Sequence, residues 1–162
     1  MAYSLKHTFV TSDCHFGSWQ LSLSAFRAFS KDEEDELIAN WNSVVEPNDI
    51  VIYNGDFCDC NAISFCNYVK RLNGQIILVK GNHDMLPDEL YKAAFKDVVD
   101  KLVLDDLDLT IQHVPGEFST KHQVFGHLHR GQSTSNIPGF CSCIQANGLY
   151  PVSLERVLLS FK

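Results

Sequence analysis

The sequence has no long hydrophobic run, no excess of basic residues and no low-complexity tract. None of its apolar stretches approaches the ~20 residues that a membrane-spanning helix needs. Its amino terminus does not show the basic-then-apolar layout of a signal peptide, so we expect a cytoplasmic protein that does not enter a membrane. Acidic residues outnumber basic ones by 20 to 13, and the resulting net charge of −7 disfavours a protein that holds nucleic acid by its phosphates.

The cysteines do not have the spacing of a zinc knuckle. Two pairs, Cys58 with Cys60 and Cys141 with Cys143, are separated by one residue, whereas zinc-binding pairs are separated by two to four. The chain is also too long and too rich in core residues to need disulfide staples. We therefore expect reduced, partly buried thiols at Cys14, Cys58, Cys60, Cys66, Cys141 and Cys143.

The length and composition are those of a globular protein. With 162 residues, of which 45% are hydrophobic, the chain is expected to form a single domain over residues 1–162. Short apolar runs of β type alternate with helical patterns, which predicts a layered α/β fold.

Several element boundaries can be predicted. Ser30 and Glu33 form the pattern of a capping box and predict a helix that ends before Pro47, with the acidic residues 32–36 as its solvated first turn. Its predicted apolar face comprises Leu37, Ile38, Trp41, Val44 and Val45. A second helix is predicted over 61–72, with a buried stripe of Ile63, Cys66 and Val69, and a third from Pro87 to about residue 95. The predicted strands cover residues 7–12, 49–53, 75–79, 101–104, 107–112, 122–125 and 140–145.

Polar side chains follow five of these strands, each at the point where the strand ends. In layered α/β folds ligands gather at the carboxyl ends of strands, because loops converge there while the strands fix their positions. Carboxylate oxygens and imidazole nitrogens together suit zinc, manganese or iron better than calcium. The side chains are Asp13, Asp56, Asn82, His113 and His127, with His15, His83, Asp84 and His129 close beside them.

The local spacing supports a metal site. Asp13 and His15 are two residues apart, so both side chains can face the same way from an extended segment, and His127 and His129 repeat this spacing. Asp56, in the middle of the set, is a candidate to bridge two cations. Gly17, Gly55, Gly81 and Gly126 flank these residues and permit tight turns where backbone approaches the site.

Five short blocks carry a family resemblance. In order they are Asp13-Cys14-His15, Gly55-Asp56, Gly81-Asn82-His83-Asp84, a lone His113, and Gly126-His127-Leu128-His129. The sequence thereby resembles the calcineurin-like metallophosphoesterases, specifically their small single-domain bacterial and phage type. The resemblance implies a four-layer α/β/β/α sandwich with two mixed β-sheets.

The resemblance also implies a dinuclear metal site. Its two divalent ions would be manganese first, with zinc, iron, nickel or cobalt as alternatives, and a bridging hydroxide would attack the phosphate ester. Asp56 would be shared between the ions. The first metal would be held by Asp13, His15, Asp56 and His129, and the second by Asp56, Asn82, His113 and His127.

Further residues acquire roles from the same resemblance. His83 would donate a proton to the leaving-group oxygen and Asp84 would orient it. Many small relatives have a histidine where Ser18 stands, and larger ones have an arginine where Cys60 stands, so phosphate contacts from those positions are in question. Candidate substrate-binding residues are instead Asn82, Arg27 and Arg130, and Asp59 is a candidate supporting residue.

Because small relatives of this kind are often diesterases, the resemblance implies a phosphodiesterase acting on a nucleotide-type or similar phosphodiester. The alternatives are a phosphomonoesterase using the same site and a non-catalytic binding scaffold of the same fold. A group of aromatic residues has two open roles, stacking on a substrate ring or packing in the core. These residues are Phe16, Trp19, Phe26 and Phe29.

Overall fold

The computed structural model describes residues 3–18, 29–129 and 137–162. Within these ranges, strands and helices alternate along the first two thirds of the chain, as predicted. The strands are β1 (Thr8–Thr11), β2 (Ile50–Tyr53), β3 (Gln75–Val79), β4 (Asp97–Val99), β5 (Leu102–Leu104), β6 (Leu109–Ile111), β7 (His122–Phe125), β8 (Phe140–Cys141) and β9 (Val152–Ser153). The helices are α1 (Lys31–Val44), α2 (Ala62–Arg71), α3 (Asp88–Ala94) and α4 (Leu154–Leu159).

The strands form two mixed sheets. The first has the order β4-β3-β2-β1-β9, in which β1 to β4 run parallel and β9 is antiparallel to β1. The second has the order β5-β6-β7-β8, with β5 antiparallel to β6 and the other pairs parallel. Two mixed sheets flanked by helices confirm the predicted fold class.

Hydrophobic residues divide between two cores because successive side chains of a strand point to opposite faces. Trp41 of α1 and Phe65 of α2 pack in one core on the helix-covered face of the first sheet. Val10 of β1 and Val124 of β7 pack in the other, which joins the two sheets. Leu154 of α4 belongs to this second core, so the last helix stabilises the contact between the sheets.

The capping box at the start of α1 is confirmed. The Ser30 hydroxyl accepts from the backbone N–H of Glu33, while the Glu33 carboxylate accepts from that of Ser30. Trp41 is buried as predicted, but Val44 is 36% exposed. The prediction of a wholly solvated first turn is wrong at Glu34, which is buried against α2.

The buried stripe predicted for α2 is also wrong in part. Ile63 is 77% exposed, and the helix turns Phe65 and Tyr68 into the core instead. Phe65 lies edge-on to Phe57 and Tyr91, at centroid distances of 5.6 Å and 5.3 Å. These larger aromatic side chains bury more area than isoleucine, and they set the rotation of the helix.

The prediction of free thiols is confirmed, and the two histidines outside the five blocks have surface or structural positions. All six cysteines are free thiols. His7 is exposed and lies 2.9 Å from Asp49, and His122 stacks on Phe161. In the described part of the chain, every helix is too short or too polar to cross a membrane.

Candidate metal centre and active site

The polar residues predicted at strand ends meet at one place. Because β1 and β2 run parallel, and so do β6 and β7, their carboxyl ends bring Asp13, Asp56, His113 and His127 to a common edge. Metal-competent atoms there lie within 4.8 Å of one another in three groups. The groups are Asp13, His15, Asp56 and His129; Asp56, His113 and His127; and His15, Asp59 and His83.

The first group brings together two carboxylates and two imidazoles. Nε2 of His15 lies 3.2 Å from Nε2 of His129 and 3.4 Å from Oδ2 of Asp56. Nε2 of His129 lies 3.3 Å from Oδ1 of Asp13. The side chains of Asp13 and His15 are fully buried, so their donor atoms converge in a space shielded from solvent. A divalent cation would satisfy them together.

The second group shares Asp56 with the first. Oδ2 of Asp56 lies 3.2 Å from Nε2 of His113, whose ring packs edge-on to that of His127 at 5.3 Å. Asn82 lies in the turn after β3 and is exposed. Its neighbour His83 donates a backbone N–H to Oδ1 of Asp56 at 2.8 Å, which places the Asn82 turn beside this group.

Asp56, the carboxylate shared by both groups, and His113 have buried polar atoms that a metal ion would satisfy. Oδ2 of Asp56 and Nε2 of His113 are buried, and neither has an aligned hydrogen-bond partner among the described residues. Burial alone would raise the Asp56 pKa, but contact with His113 lowers it to about 2. Burial would lower the His113 pKa, but contact with Asp56 raises it to about 9. A metal ion would take the place of the imidazolium proton, since a ligating imidazole must be neutral.

Asp59 connects the first group to His83. Its Oδ2 lies 2.8 Å from Nδ1 of His15, and its Oδ1 lies 3.0 Å from Nδ1 of His83. Burial would raise the Asp59 pKa, but its contact with His15 outweighs burial and the pKa is lowered. A carboxylate on Nδ1 fixes the tautomer and leaves Nε2 of His15 directed at the first group.

Asp84 was predicted to contact and orient His83, but its hydrogen bonds go to backbone N–H groups instead. The Asp84 carboxylate accepts backbone N–H groups from Asp56 at 2.9 Å, Phe57 at 2.9 Å and Gly81 at 2.8 Å. Burial raises the Asp84 pKa. Asp84 therefore ties the loop after β2 to the loop after β3, and Asp59 occupies the position beside His83 that we had predicted for Asp84.

The backbone of the predicted ligands is unusual. A left-handed conformation is uncommon for residues other than glycine and costs roughly 1–3 kcal/mol where the surrounding structure holds it. Seven such residues have positive φ in the described ranges, and five of them are predicted metal ligands. These five are Asp13, His15, Asp56, His127 and His129, with φ values of 61°, 45°, 59°, 70° and 30°.

Two glycines allow the loops to approach the ligands as predicted. A Cβ atom on Gly55 would lie 2.3 Å from Nδ1 of His113, and Gly55 has a φ of +85°. A Cβ atom on Gly81 would lie 2.3 Å from Oδ1 of Asp56. Neither position has room for a side chain unless the ligand moves.

Neighbouring residues hold the ligands from behind. Asp13 accepts the backbone N–H of His127 at 3.0 Å, the Cys143 thiol at 3.2 Å and the Ser12 hydroxyl. Nδ1 of His113 lies 2.7 Å from the carbonyl oxygen of Asn54, and a hydrogen bond donated there directs Nε2 at Asp56. Sequence reasoning missed Asn54 and Cys143, because their roles depend on contacts across the two sheets.

The remaining predicted site residues divide into two sets. Phe16 and Phe29 are buried, which supports core packing rather than substrate stacking. Phe16 stacks on Tyr68 at 5.0 Å. The other candidate substrate contacts, Arg27, Arg130, Trp19 and Phe26, lie outside the described residues.

Comparison with known proteins now identifies the family. A sequence model described as calcineurin-like phosphoesterase matches residues 6–140, which span all the strand ends described above. The chain belongs to the calcineurin-like phosphoesterase family. Membership together with the Asp/His groups supports a metal-dependent phosphoesterase that binds divalent cations.

One curated protein and one solved structure add to the comparison. The uncharacterized protein MJ1445 of Methanocaldococcus jannaschii is 36% identical over 85 residues, or 50% of this chain. The match spans 48% of MJ1445, about half its length. The crystal structure of AQ665, a protein of unknown function from Aquifex aeolicus, matches with a TM-score of 0.75 at 21% identity. That alignment covers 96% of this chain and 98% of AQ665, and it supports the fold.

Proposed function

We propose that this protein is a phosphodiesterase that hydrolyses a small, nucleotide-type phosphodiester with two divalent cations. The observation that carries the proposal is the position of Asp56, which belongs to two groups of metal-competent side chains. A carboxylate shared in this way suits a pair of cations. The first would be held by Asp13, His15, Asp56 and His129, and the second by Asp56, Asn82, His113 and His127.

When bound, the cations would supply positive charge to the phosphoryl oxygens and an activated water. The chain's own residues would do the rest. His83, whose side chain is 28% exposed, would meet the substrate and donate a proton to the leaving oxygen. Asp59 would hold Nδ1 of His83 and so fix the ring for that transfer. Asn82, exposed beside Asp56, would contact the phosphoryl group as well as the second cation.

The charge of the described site favours a diester over a monoester. The three groups contain three aspartates, and the described residues that line the pocket beside His83 include no lysine or arginine. A phosphodiester carries one negative charge near neutral pH, whereas a phosphomonoester carries close to two. The monoester would therefore gain more from basic side chains than this part of the chain offers.

Manganese is the first choice of metal, with zinc, iron, nickel and cobalt as alternatives. All the ligands are oxygen or nitrogen donors, and no thiolate belongs to the three groups. Such a donor set suits these ions more than it suits calcium. The six free thiols also support a reducing compartment, and we propose a cytoplasmic location.

The decisive experiment compares two substrates after metal exchange. The protein is stripped with a chelator, dialysed, and assayed with manganese on bis-p-nitrophenyl phosphate and p-nitrophenyl phosphate. We expect activity to disappear with the chelator and return with manganese, with higher kcat/KM on the diester. Higher kcat/KM on the monoester would favour a phosphatase. Metal binding without turnover of either would favour a binding scaffold, and full activity after complete metal removal would contradict the proposal.

A further inference from the structure

A pocket of about 310 Å³ adjoins the site at His83. Asp59 and His83 form one wall, and Cys58, Cys60, Met85 and Leu86 form much of the rest. Its volume lies at the lower end of the roughly 300–1,000 Å³ range of small-molecule pockets. The pocket is therefore large enough to take part of a substrate and continuous with the residues that would act on it.

The position of the pocket relates it to one end of the substrate. If the proposed function is right, His83 gives its proton to the leaving oxygen, so the alcohol attached to that oxygen must lie beside His83. Asp59 anchors the ring through Nδ1 at 3.0 Å, so the pocket wall and the proton donor keep a fixed relation. The inference made here rests on that proposed function.

Three lining residues are polar, namely Asp59, Asn61 and His83, and the rest of the lining is apolar. Two thiols, a thioether and a leucine side chain form this apolar part, and among the described lining residues none is lysine or arginine. The carboxylate of Asp59 is the acidic group present, and it faces His15 and His83. Polarisable sulfur packs well against ring systems, while an anionic group beside these side chains would lose its hydration without gaining a lysine or arginine partner among the described lining residues.

Met85 is an apolar residue of this lining that is exposed to solvent. Its side chain is 85% exposed, although methionine usually packs in a core. It follows His83 by two residues, in the loop that Asp84 ties to the neighbouring loop. Met85 thus contributes a flexible, apolar and solvent-exposed side chain to the entrance of the pocket.

We propose that this space, the leaving-group pocket, binds the alcohol portion of the phosphodiester and selects an uncharged, ring-bearing alcohol over an anionic one. A nucleoside or a phenol has the required ring and lacks charge. A longer nucleic acid or a phosphorylated alcohol would bring further negative charge to a lining that offers no lysine or arginine among its described residues, so the enzyme would prefer short diesters with neutral leaving groups.

The first test compares two leaving groups. Methyl 4-nitrophenyl phosphate and its 3-carboxy derivative differ by one carboxylate on the ring. The wild type should prefer the uncharged substrate in kcat/KM, mainly through KM. Met85→Lys should reduce the ratio of the two kcat/KM values by about threefold to fivefold, which is the size expected of a partly exposed charge pair. Met85→Glu should increase that ratio. Val114, 51% exposed beside His113, offers matched controls in Val114→Lys and Val114→Glu.

The second test needs no turnover. The chain has two methionines, Met1 and Met85, so carbon-13 labelling of methionine methyl groups gives a simple spectrum in which Met85→Leu assigns the signal. The protein is prepared with zinc in place of manganese. Added adenosine should then change the chemical shift of the Met85 methyl signal, and the change should reach a plateau as the adenosine concentration rises. Adenosine 5′-carboxylate should shift it more weakly.

The outcomes of the two tests are distinguishable. If neither substrate is hydrolysed but the Met85 signal shifts saturably, the phosphodiesterase proposal fails and the pocket stands. If hydrolysis proceeds while the Met85 signal is unchanged and the Met85 and Val114 variants alter the substrate preference equally, the pocket proposal is overturned and the phosphodiesterase stands. Absence of both turnover and binding would overturn both.

Discussion

Asp13 and His83 lie on two sides of one site, and their surroundings differ. Asp13 is fully buried and is held by Ser12, Cys143 and the backbone of His127. The side chain of His83 is 28% exposed and lines an open pocket. We call these the ligand side and the pocket side. The ligand side is built to fix donor atoms, whereas the pocket side has room for a substrate, and substitutions should separate the two roles.

Asp56→Asn should have the largest effect, because Asp56 contributes to both ligand groups. We expect activity to fall roughly 10³-fold or more, beyond the 10–100-fold typical of residues that only support a ligand. Metal content, measured by elemental analysis, should fall with it and more than for His129→Ala. Asparagine tolerates the left-handed backbone of this position, so the fold should persist.

Asp106→Asn, on the exposed turn after β5, is the matched control and should behave as wild type. Two tightly bound metals and near-normal turnover in Asp56→Asn would show that Asp56 is not the bridge.

His83→Ala should lower kcat by roughly 10²-fold or more while metal content and folding stay nearly unchanged, since it removes the proposed proton donor from the pocket side. The loss should be smaller for p-nitrophenolate, which needs no proton to leave, than for alkyl alcohols. Steady-state kinetics on a series of leaving groups measures this. Equal losses across the series would assign His83 an electrostatic role, and His7→Ala is the exposed control.

Asp59→Asn should have an intermediate effect, because Asp59 contacts both sides of the site. We expect a loss of about 10–100-fold together with weaker binding of the first metal. Since Asp59 acts partly through His83, the double variant with His83→Ala should lose less than the product of the single losses.

Additive losses in that double-mutant cycle would mean that Asp59 serves only His15. Asp105→Asn, at an exposed position, provides the control for the loss of one carboxylate.

Cys143→Ala should have the smallest effect on activity, within about threefold, because Ser12 and the His127 backbone still hold Asp13. Thermal unfolding should show a loss of about 1 kcal/mol from this buried position. Cys143→Ser should retain the donor and bind metal more tightly than Cys143→Ala in a chelator titration. A rate loss as large as that of His83→Ala would contradict the division into two sides.

Much of this site was predictable because its residues occur in short blocks that follow apolar strands. Strand β3 was also predictable, because a short apolar run marks it, and its predicted and observed bounds are both residues 75–79. Glu34 was not predictable. It accepts hydrogen bonds from the Tyr68 hydroxyl and the Gly17 backbone, both at 2.6 Å, and so holds the loop after His15. In the sequence it is one of several acids at a helix start, and only the packing of α1 against α2 distinguishes it.

Two further misses have related causes. β4 has three residues and depends on pairing with β3, which no local pattern reveals. Asp84 directly follows His83 in the sequence and was predicted to orient it, but Asp59 makes that contact, because the side-chain directions depend on how the two loops meet. The single domain over residues 1–162 stays a prediction.

The left-handed backbone of the ligands has a consequence for selection experiments. Glycine adopts such φ values without steric cost, so replacing Asp13, His15 or His127 by glycine should relieve strain in chelator while destroying the site. A library of variants sorted only for thermal tolerance, without metal, would therefore enrich glycine at these positions. The pattern of enrichment would map the candidate metal site of this chain without any substrate being supplied.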